Sequence, residues 1–421
     1  MEDVAKSERG RFLPYAFTPL PAISMAPEVL DRLIVGKDPD TGKIVITEIV
    51  EALTKPVSLK KPESAPSEAP GAAIPQMLVG PDTEDNLQRL FYDKGWTDGL
   101  PIILPTEERV RKMLAGTSAP PDKVVAEGFN MESGERRAYT VNNIAVIAVM
   151  AGARPEFFPV ILAIAAANRS AISPSTTAFA SILLVNGPIR KKIGMNSGIG
   201  VYGPGNMANA VLGRAWTLMT FCHGGGKARK DMWSSQGSNL TYNNNCIAEN
   251  EELSVWTPFH VDKGFKAEES VVSIFGGWGE INSPGAASHR SLVEELSIEY
   301  GTIPPLESGA TIVMDPLVAR SLKENLGFSK KQDFCQHMSK NVKIPAGQYW
   351  KTDYIDMLVA SQAYQGVEPY ASWKKLPDNA LITPFPNPAN INLIVAGGAV
   401  SPLWKATDYR HGISVSVDKW A

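Results

Sequence analysis

The sequence predicts an α/β fold: a mixed sheet with buried helices and glycine-rich strand-end loops, plus an N-terminal arm. Three observations predict it. Short apolar runs of strand type alternate with longer stretches of helical period, which is the pattern of an α/β body. Two helical segments are apolar on nearly every face, so they belong in the interior. Glycine clusters stand close to strand ends, where open α/β sheets place their ligands.

Taken in order, residues 1–54 form an arm or small unit, with apolar patches at Phe12–Ala26 and Ile44–Leu53 on either side of an Asp38–Lys43 turn. Residues 55–81 are a linker rich in Pro, Ala, Ser and Glu, too poor in apolar side chains to fold. The arm is expected either to pack on its own subunit or to reach a neighbour in a homo-oligomer. The body spans residues 82–421. Leu87, Leu90 and Phe91 give i, i+3, i+4 spacing and predict a helix over Glu84–Lys94 that Gly95 stops. Thr106 caps the next helix, with Glu107 and Glu108 in its first turn. Asn142–Met150 and Glu156–Asn168 are the two all-apolar helices. Strands are expected at Ala178–Val185, Ser270–Phe275, Thr311–Met314, Ile391–Val395 and Ile413–Val417. Helices are expected at Asn206–Phe221, Ala287–Glu299, Pro316–Leu326 and Lys330–Met338. No internal repeat is evident.

The composition excludes several classes. A net charge of −3 over 421 residues gives no nucleic-acid footprint. Three cysteines (Cys222, Cys246, Cys335) without any C-x-x-C argue against a disulfide framework and a structural zinc site, so a reduced, cytoplasmic compartment is expected. The start MEDVAKSERG lacks the basic and apolar regions of a signal peptide. The longest apolar run, FFPVILAIAAA, is too short to span a bilayer, so no membrane partner is expected.

The richest stretch runs from Val185 to His260. Ser197–Gly205 feeds a helix started by Asn206, and such loops hold anions through backbone N–H groups and the helix dipole. Asn206, Ala210, Gly213 and Thr217 form a stripe of small or polar residues flanked by Asn209 and Arg214. The stripe serves either close packing of two backbones, with Arg214 neutralised by a buried carboxylate, or a bound polar group. On the second reading Asn196, Ser197, Gly203, Gly205, Asn206, Asn209, Arg214 and Trp96 bind substrate. The loop is no P-loop, because no G-K-[ST] closes it.

Downstream, Glu249, Glu251 and Glu252 precede His260 and are candidates for general acid–base work, or for a solvated turn. Cys246 is a candidate nucleophile or a small core residue. Cys222-His223 before Gly224–Gly226 is a candidate oxyanion nest with His223 beside it. Asp98 and Trp96, in the W-T-D-G turn, are a candidate acceptor and pocket wall. Ser273–Gly285 reads as a second glycine-rich exit from a strand, facing the first. Scattered histidines without H-x-H or H-E-x-x-H leave the metal and cofactor unassigned.

The segments GWTDGLPIILPTEERV, VIAVMAGARPEFFPVILA, LLVNGPIRKKIGMNSGIGVYGPGNMANAVLGRA and CIAENEELSVWTPFHVDKGF resemble bacterial proteins found among, or alongside, the UGSC (seleno)proteins. The resemblance covers Asp82 onward and implies a bacterial small-molecule enzyme. Its name suggests redox-active cysteine or selenocysteine. This chain has no C-G-S-C segment, has Ala153 before Arg154 and has Val255 where an S-P-W motif would carry proline, so no catalytic residue carries over.

The expected function is therefore an enzyme of lyase or hydrolase type that binds a polar or anionic small molecule. The alternatives are a metal- or thiol-dependent oxidoreductase and a non-catalytic assembly subunit.

Overall fold

A computed structural model describes residues 27–38, 41–54, 78–130, 136–172, 179–226, 234, 236–285 and 289–421. Contacts divide the chain into two compact units, Met1–Glu68 with Lys343–Pro386, and Ala69–Val342 with Asn387–Ala421. The segment 343–386, which the sequence assigned to the body, thus separates from it. In the smaller unit, helices Pro27–Ile34 and Val45–Thr54 flank the expected turn, where Thr41 N–H donates to Asp38 Oδ1 at 3.1 Å. The Phe12–Ala26 patch and residues 55–77 lie outside the described residues.

The larger unit opens with α1 (Glu84–Asp93) and α2 (Glu107–Leu114), capped by the hydroxyls of Thr83 and Thr106. A hairpin follows, β1 (Val124–Phe129) against β2 (Arg136–Thr140), where no strand was expected. Thr140 and Asn143 then form a reciprocal cap on α3 (Val141–Ala151), and Gly152 ends it in a left-handed conformation. α4 (Phe158–Ala166) follows a single 3₁₀ turn. Both helices are buried nearly all round, as their uniform apolarity requires, and each fully buried Ile or Leu contributes about 2 kcal/mol.

Two four-stranded sheets follow. β3 (Ala180–Asn186), α5 (Met207–Cys222), β4 (Cys246–Ala248), β5 (Val271–Gly277) and β6 (Glu280–Ser283) make the first run. α6 (Leu292–Thr302), β7 (Ala310–Met314), α7 (Pro316–Glu324), α8 (Lys331–Asn341), β8 (Ile391–Val395), β9 (Trp404–Thr407) and β10 (Arg410–Ser416) make the second. α6 begins at Leu292 rather than Ala287, because Ser291 and Glu294 form a capping box there.

The first sheet has the order β4-β3-β5-β10, the second β8-β7-β9-β6. In each, the first two strands are parallel and the next two antiparallel. Exchanging β3–β6 for β7–β10 turns one sheet into the other. The unit is therefore a topological repeat in which each half lends its fourth strand to the other half's sheet. The sequences agree only in a V-x-x-P step at the end of β3 (Val185–Pro188) and of β7 (Val313–Pro316), which is why no repeat was legible.

The exchange happens where two short links cross. Trp278-Gly279 joins β5 to β6, and Asp408-Tyr409 joins β9 to β10. Asp408 Oδ1 accepts from Trp278 N–H at 2.8 Å and from Gly279 N–H at 3.0 Å. A Cβ on Gly277 would lie 2.4 Å from the Tyr409 ring, so only glycine allows the crossing. Ser273–Gly285, expected to be a ligand loop, is thus this crossing with its flanking strands.

One face of the first sheet carries Ile182, Leu184, Ile247 and Phe275 against Val313 and Ile394 of the second. Its other face carries Leu183, Val185, Cys246 and Ile274 against α3, α4 and α5. Beyond the second sheet, α8 packs on β8, and Trp404 Nε1 of β9 donates to Glu299 of α6 at 2.8 Å. The layers run helices, sheet, sheet, helices.

Burial pushes the Asp408 carboxyl up to about 6, and its Oδ2 has no hydrogen-bond partner. Asp408→Ala, which strands two half-buried N–H groups, is expected to cost about 1–3 kcal/mol in urea unfolding. Asp408→Asn keeps the accepting oxygen and should cost less. It should also abolish the fall in stability that the native carboxyl imposes as pH rises from 3.8 through about 6, since only the folded state holds that proton there.

Candidate functional site

The candidate residues fall into three groups in the larger unit. The carboxylate cluster sits at the C-terminal ends of the parallel strands β3 and β4. Glu249, fully buried, accepts from Asn186 Nδ2 and Phe259 N–H, both at 2.6 Å, and from Lys331 Nζ at 3.2 Å. Arg190 donates to Glu249 O at 2.7 Å and pairs with Glu251 at 2.8 Å and Glu252 at 3.0 Å. Glu251 also accepts from Gly187 N–H at 2.8 Å. The carboxylates expected to do acid–base work thus hold strand ends together through Arg190, a residue the sequence reading passed over. Burial pushes the Glu252 carboxyl up, but hydrogen bonds from Arg190 and Lys191 outweigh it and hold it at about 2. His260 is brought to 4.0 Å from Glu251, but it is fully buried and neither ring nitrogen has a hydrogen-bond partner.

The glycine-rich loop is held by its own asparagines. Asn206 Nδ2 donates to Gly200 O at 2.7 Å and Gly203 O at 2.9 Å, and Asn196 Oδ1 accepts from Gly198 N–H at 2.8 Å. Asn209 exchanges two bonds with the Asn196 backbone, at 3.0 and 2.9 Å. Ser197 O accepts from Gly397 N–H at 2.8 Å, and Gly205 has φ +89°. The small stripe on α5 serves close packing: a Cβ on Gly213 would overlap the Asn243 carbonyl at 1.8 Å. Cys246 lies in β4, where burial pushes its thiol well above the usual range, so it is a protonated core residue and no nucleophile.

The third group borders a cavity. Arg214 pairs with Asp98 through two bonds, at 2.8 and 2.9 Å, and donates to Pro101 O at 2.8 Å. The Asp98 side chain is 2% exposed. Asp98 is therefore the partner that an arginine on an apolar helix requires, and the pair staples the 96–101 turn to α5. That turn presents Trp96, which packs edge-on against Phe91 at 5.4 Å.

Behind it lies a cavity of about 720 Å³. Leu87, Phe91, Trp96, Leu104, Val146 and Met150 give it apolar walls; Asn130, Arg137, Asn142, Asn143 and His223 give it a polar side. Leu78–Pro81, expected to end the linker, also line it, and Glu107 stands exposed there. Arg137 makes no ion pair among the described residues, a feature that only the unexpected β1–β2 hairpin could have revealed. His223 stacks on Tyr139 with ring centroids 4.6 Å apart, and its carbonyl accepts from Tyr139 Oη at 2.9 Å and Asn130 Nδ2 at 2.8 Å. Burial lowers the His223 imidazole to about 4, so it is neutral at pH 7. The Cys222 thiol donates to Trp96 O at 3.1 Å and is pushed up to about 12 by burial, so it is not a thiolate.

Among the described residues no group of three His, Cys, Asp or Glu side chains is arranged to hold a metal, and no helix is long and apolar enough to cross a membrane. Fold and cavity together describe an α/β protein with a partly open cavity of small-molecule size. No protein-family model, curated protein or solved structure matches this chain.

Two outcomes follow from this geometry. Arg214→Met leaves buried Asp98 without its cation and is expected to cost about 3–5 kcal/mol in chemical denaturation, much of it restored when Asp98→Asn is added. For His223, the unfolded imidazole titrates near 6.5 and the folded one near 4, so between these values the unfolded state binds the extra proton. Stability is therefore lost as pH falls from 6.5 to about 4, by on the order of 3 kcal/mol. His223→Phe, which keeps the ring on Tyr139, should remove that part of the pH dependence.

Proposed function

We propose that this protein is a small-molecule enzyme whose substrate has an apolar body and an anionic or amide-bearing head and binds in the 720 Å³ cavity. The observation that carries the reading is the pairing of apolar walls with Arg137, whose charge no described carboxylate neutralises. A cavity of this size with a few convergent polar groups is the usual form of a ligand site. Asn142 and Asn143, at the start of α3, line the same cavity as Arg137, with Asn143 Oδ1 already accepting from Thr140. There Val141 N–H and Asn142 N–H are already bonded to Lys123 O and Pro121 O, at 2.9 Å each. The head group is therefore held by side chains, with the helix dipole adding attraction.

Within this site His223 is the acid–base group. As a neutral imidazole it offers one N–H to an anionic head and one acceptor nitrogen to an amide N–H or to an acidic proton of the substrate. Protonated Cys222 and Cys246 favour lyase or hydrolase chemistry over thiol redox chemistry. The segments that resemble UGSC-associated proteins support only the broader reading of a small-molecule enzyme.

The test uses 8-anilinonaphthalene-1-sulfonate, an aromatic anion, as a fluorescent probe of the intact chain, with octanoate as competitor. Saturable binding displaced by octanoate is expected. Arg137→Met should weaken it by about tenfold or more, the scale of one charge-assisted contact. Absent saturable binding, or an Arg137→Met protein that binds as well as the native one, overturns the reading.

A further inference from the structure

A second cavity, of about 330 Å³, lies between α8, the Phe259–Lys263 turn and the Pro388–Leu393 entry to β8. Two lysines line it, and their situations differ. Lys331 Nζ lies 3.2 Å from Glu249 and 3.2 Å from Asp262, so two carboxylates match its charge. Lys263 makes no ion pair among the described residues. Its ammonium donates to Asn392 Oδ1 at 3.1 Å and stands 4.9 Å from the Phe259 ring centroid. Asn392 is fixed in turn, because its Nδ2 donates to Ala310 O at 3.3 Å and Thr311 Oγ1 at 3.4 Å. This presents Oδ1 to the lysine and leaves two ammonium N–H groups unused. Cys335, Ile391 and Leu393 give the cavity apolar walls, while the exposed Gln332 and Gln336 also border it.

We propose that this cavity is a second ligand site, independent of the larger one, that takes a small organic carboxylate. The anion rests on Lys263 and the carbon body lies against Cys335, Ile391 and Leu393. Asp262 also lines the cavity but spends its contact on Lys331, and a half-buried ammonium with no carboxylate in contact with it gains most from a ligand that supplies one. Burial holds the Lys263 pKa below the usual lysine range, only partly offset by Asp262, in keeping with an amine that lacks an anion. The size of the cavity admits a small acid, and its apolar walls favour one with carbon to bury over a bare inorganic anion.

The test uses benzoate as probe and reads acetylation of Lys263 by an amine-selective reagent, peptide by peptide, on the full chain. Saturating benzoate is expected to slow modification of Lys263 at least tenfold, while inorganic phosphate at the same concentration slows it less than threefold. Gln336→Glu, on an exposed position of α8, places a carboxylate beside the cavity. It should raise the benzoate concentration needed for protection by about fivefold or more without disturbing the fold. Arg137→Met should leave protection unchanged, which separates this site from the larger cavity. No protection by benzoate, equal protection by phosphate, an indifferent Gln336→Glu protein, or protection lost in Arg137→Met would each overturn the proposal.

Discussion

The larger unit depends on one oxygen atom. Asp408 Oδ1 takes two backbone N–H groups from the opposing link, and at that point two stretches of the chain that run into different sheets pass within contact distance. Buried N–H groups must find acceptors, and two successive ones in a two-residue link cannot both find them in a sheet ladder. The carboxylate meets that need while remaining beyond reach of water itself, at the cost visible in its raised pKa. Once the links cross there, the order of both sheets follows, and so does the apolar layer between them.

The polar residues divide by what the crossing leaves for them. The parallel strands end in a buried region with exposed carbonyls and amides, and Arg190, Asn186 and the three glutamates fill it with mutual bonds. Arg214 and Asp98 do the same for the 96–101 turn. Such closed networks keep strand ends and turns in one place, and apart from the unpartnered Asn186 Oδ1 their donors and acceptors are largely engaged within the chain. Arg137 and Lys263 differ because each borders a cavity and makes no ion pair among the described residues, and a cavity admits a partner from outside.

Much of the helical architecture was legible. α1 and α3 announced themselves through apolar spacing and terminal glycine, and α2 through its Thr106 cap. Of the second sheet, β7 and β8 were found nearly in place because β-branched runs bounded by Gly or Pro have few other uses, whereas β6 and β9 were not expected as strands. The β1–β2 hairpin was missed because VVAEGF and RRAYT alternate poorly, and with it Arg137 was lost from view. The concentration of Gly, Asn and Glu between Val185 and His260 was correctly seen as unusual. What a sequence does not show is whether a polar side chain ends on a ligand or on its own backbone. Asn206 and Glu249 look alike in either case, and only the geometry separates them. Arg214 illustrates the point: its need for a partner was plain, but Asp98 lies 116 residues away in the chain.

The lending of fourth strands also governs the order in which the chain can take shape. Sheet one needs β10, whose Ile413 sits opposite Ile274 of β5. A ribosome finishing β3, β4 and β5 therefore releases a sheet whose β5 edge stays unpaired until residues 410–416 have been made. Such an edge is a template for foreign strands, and contacts this far apart in sequence form slowly. During synthesis the nascent chain carries an adhesive edge for longer than a fold built of sequential halves would.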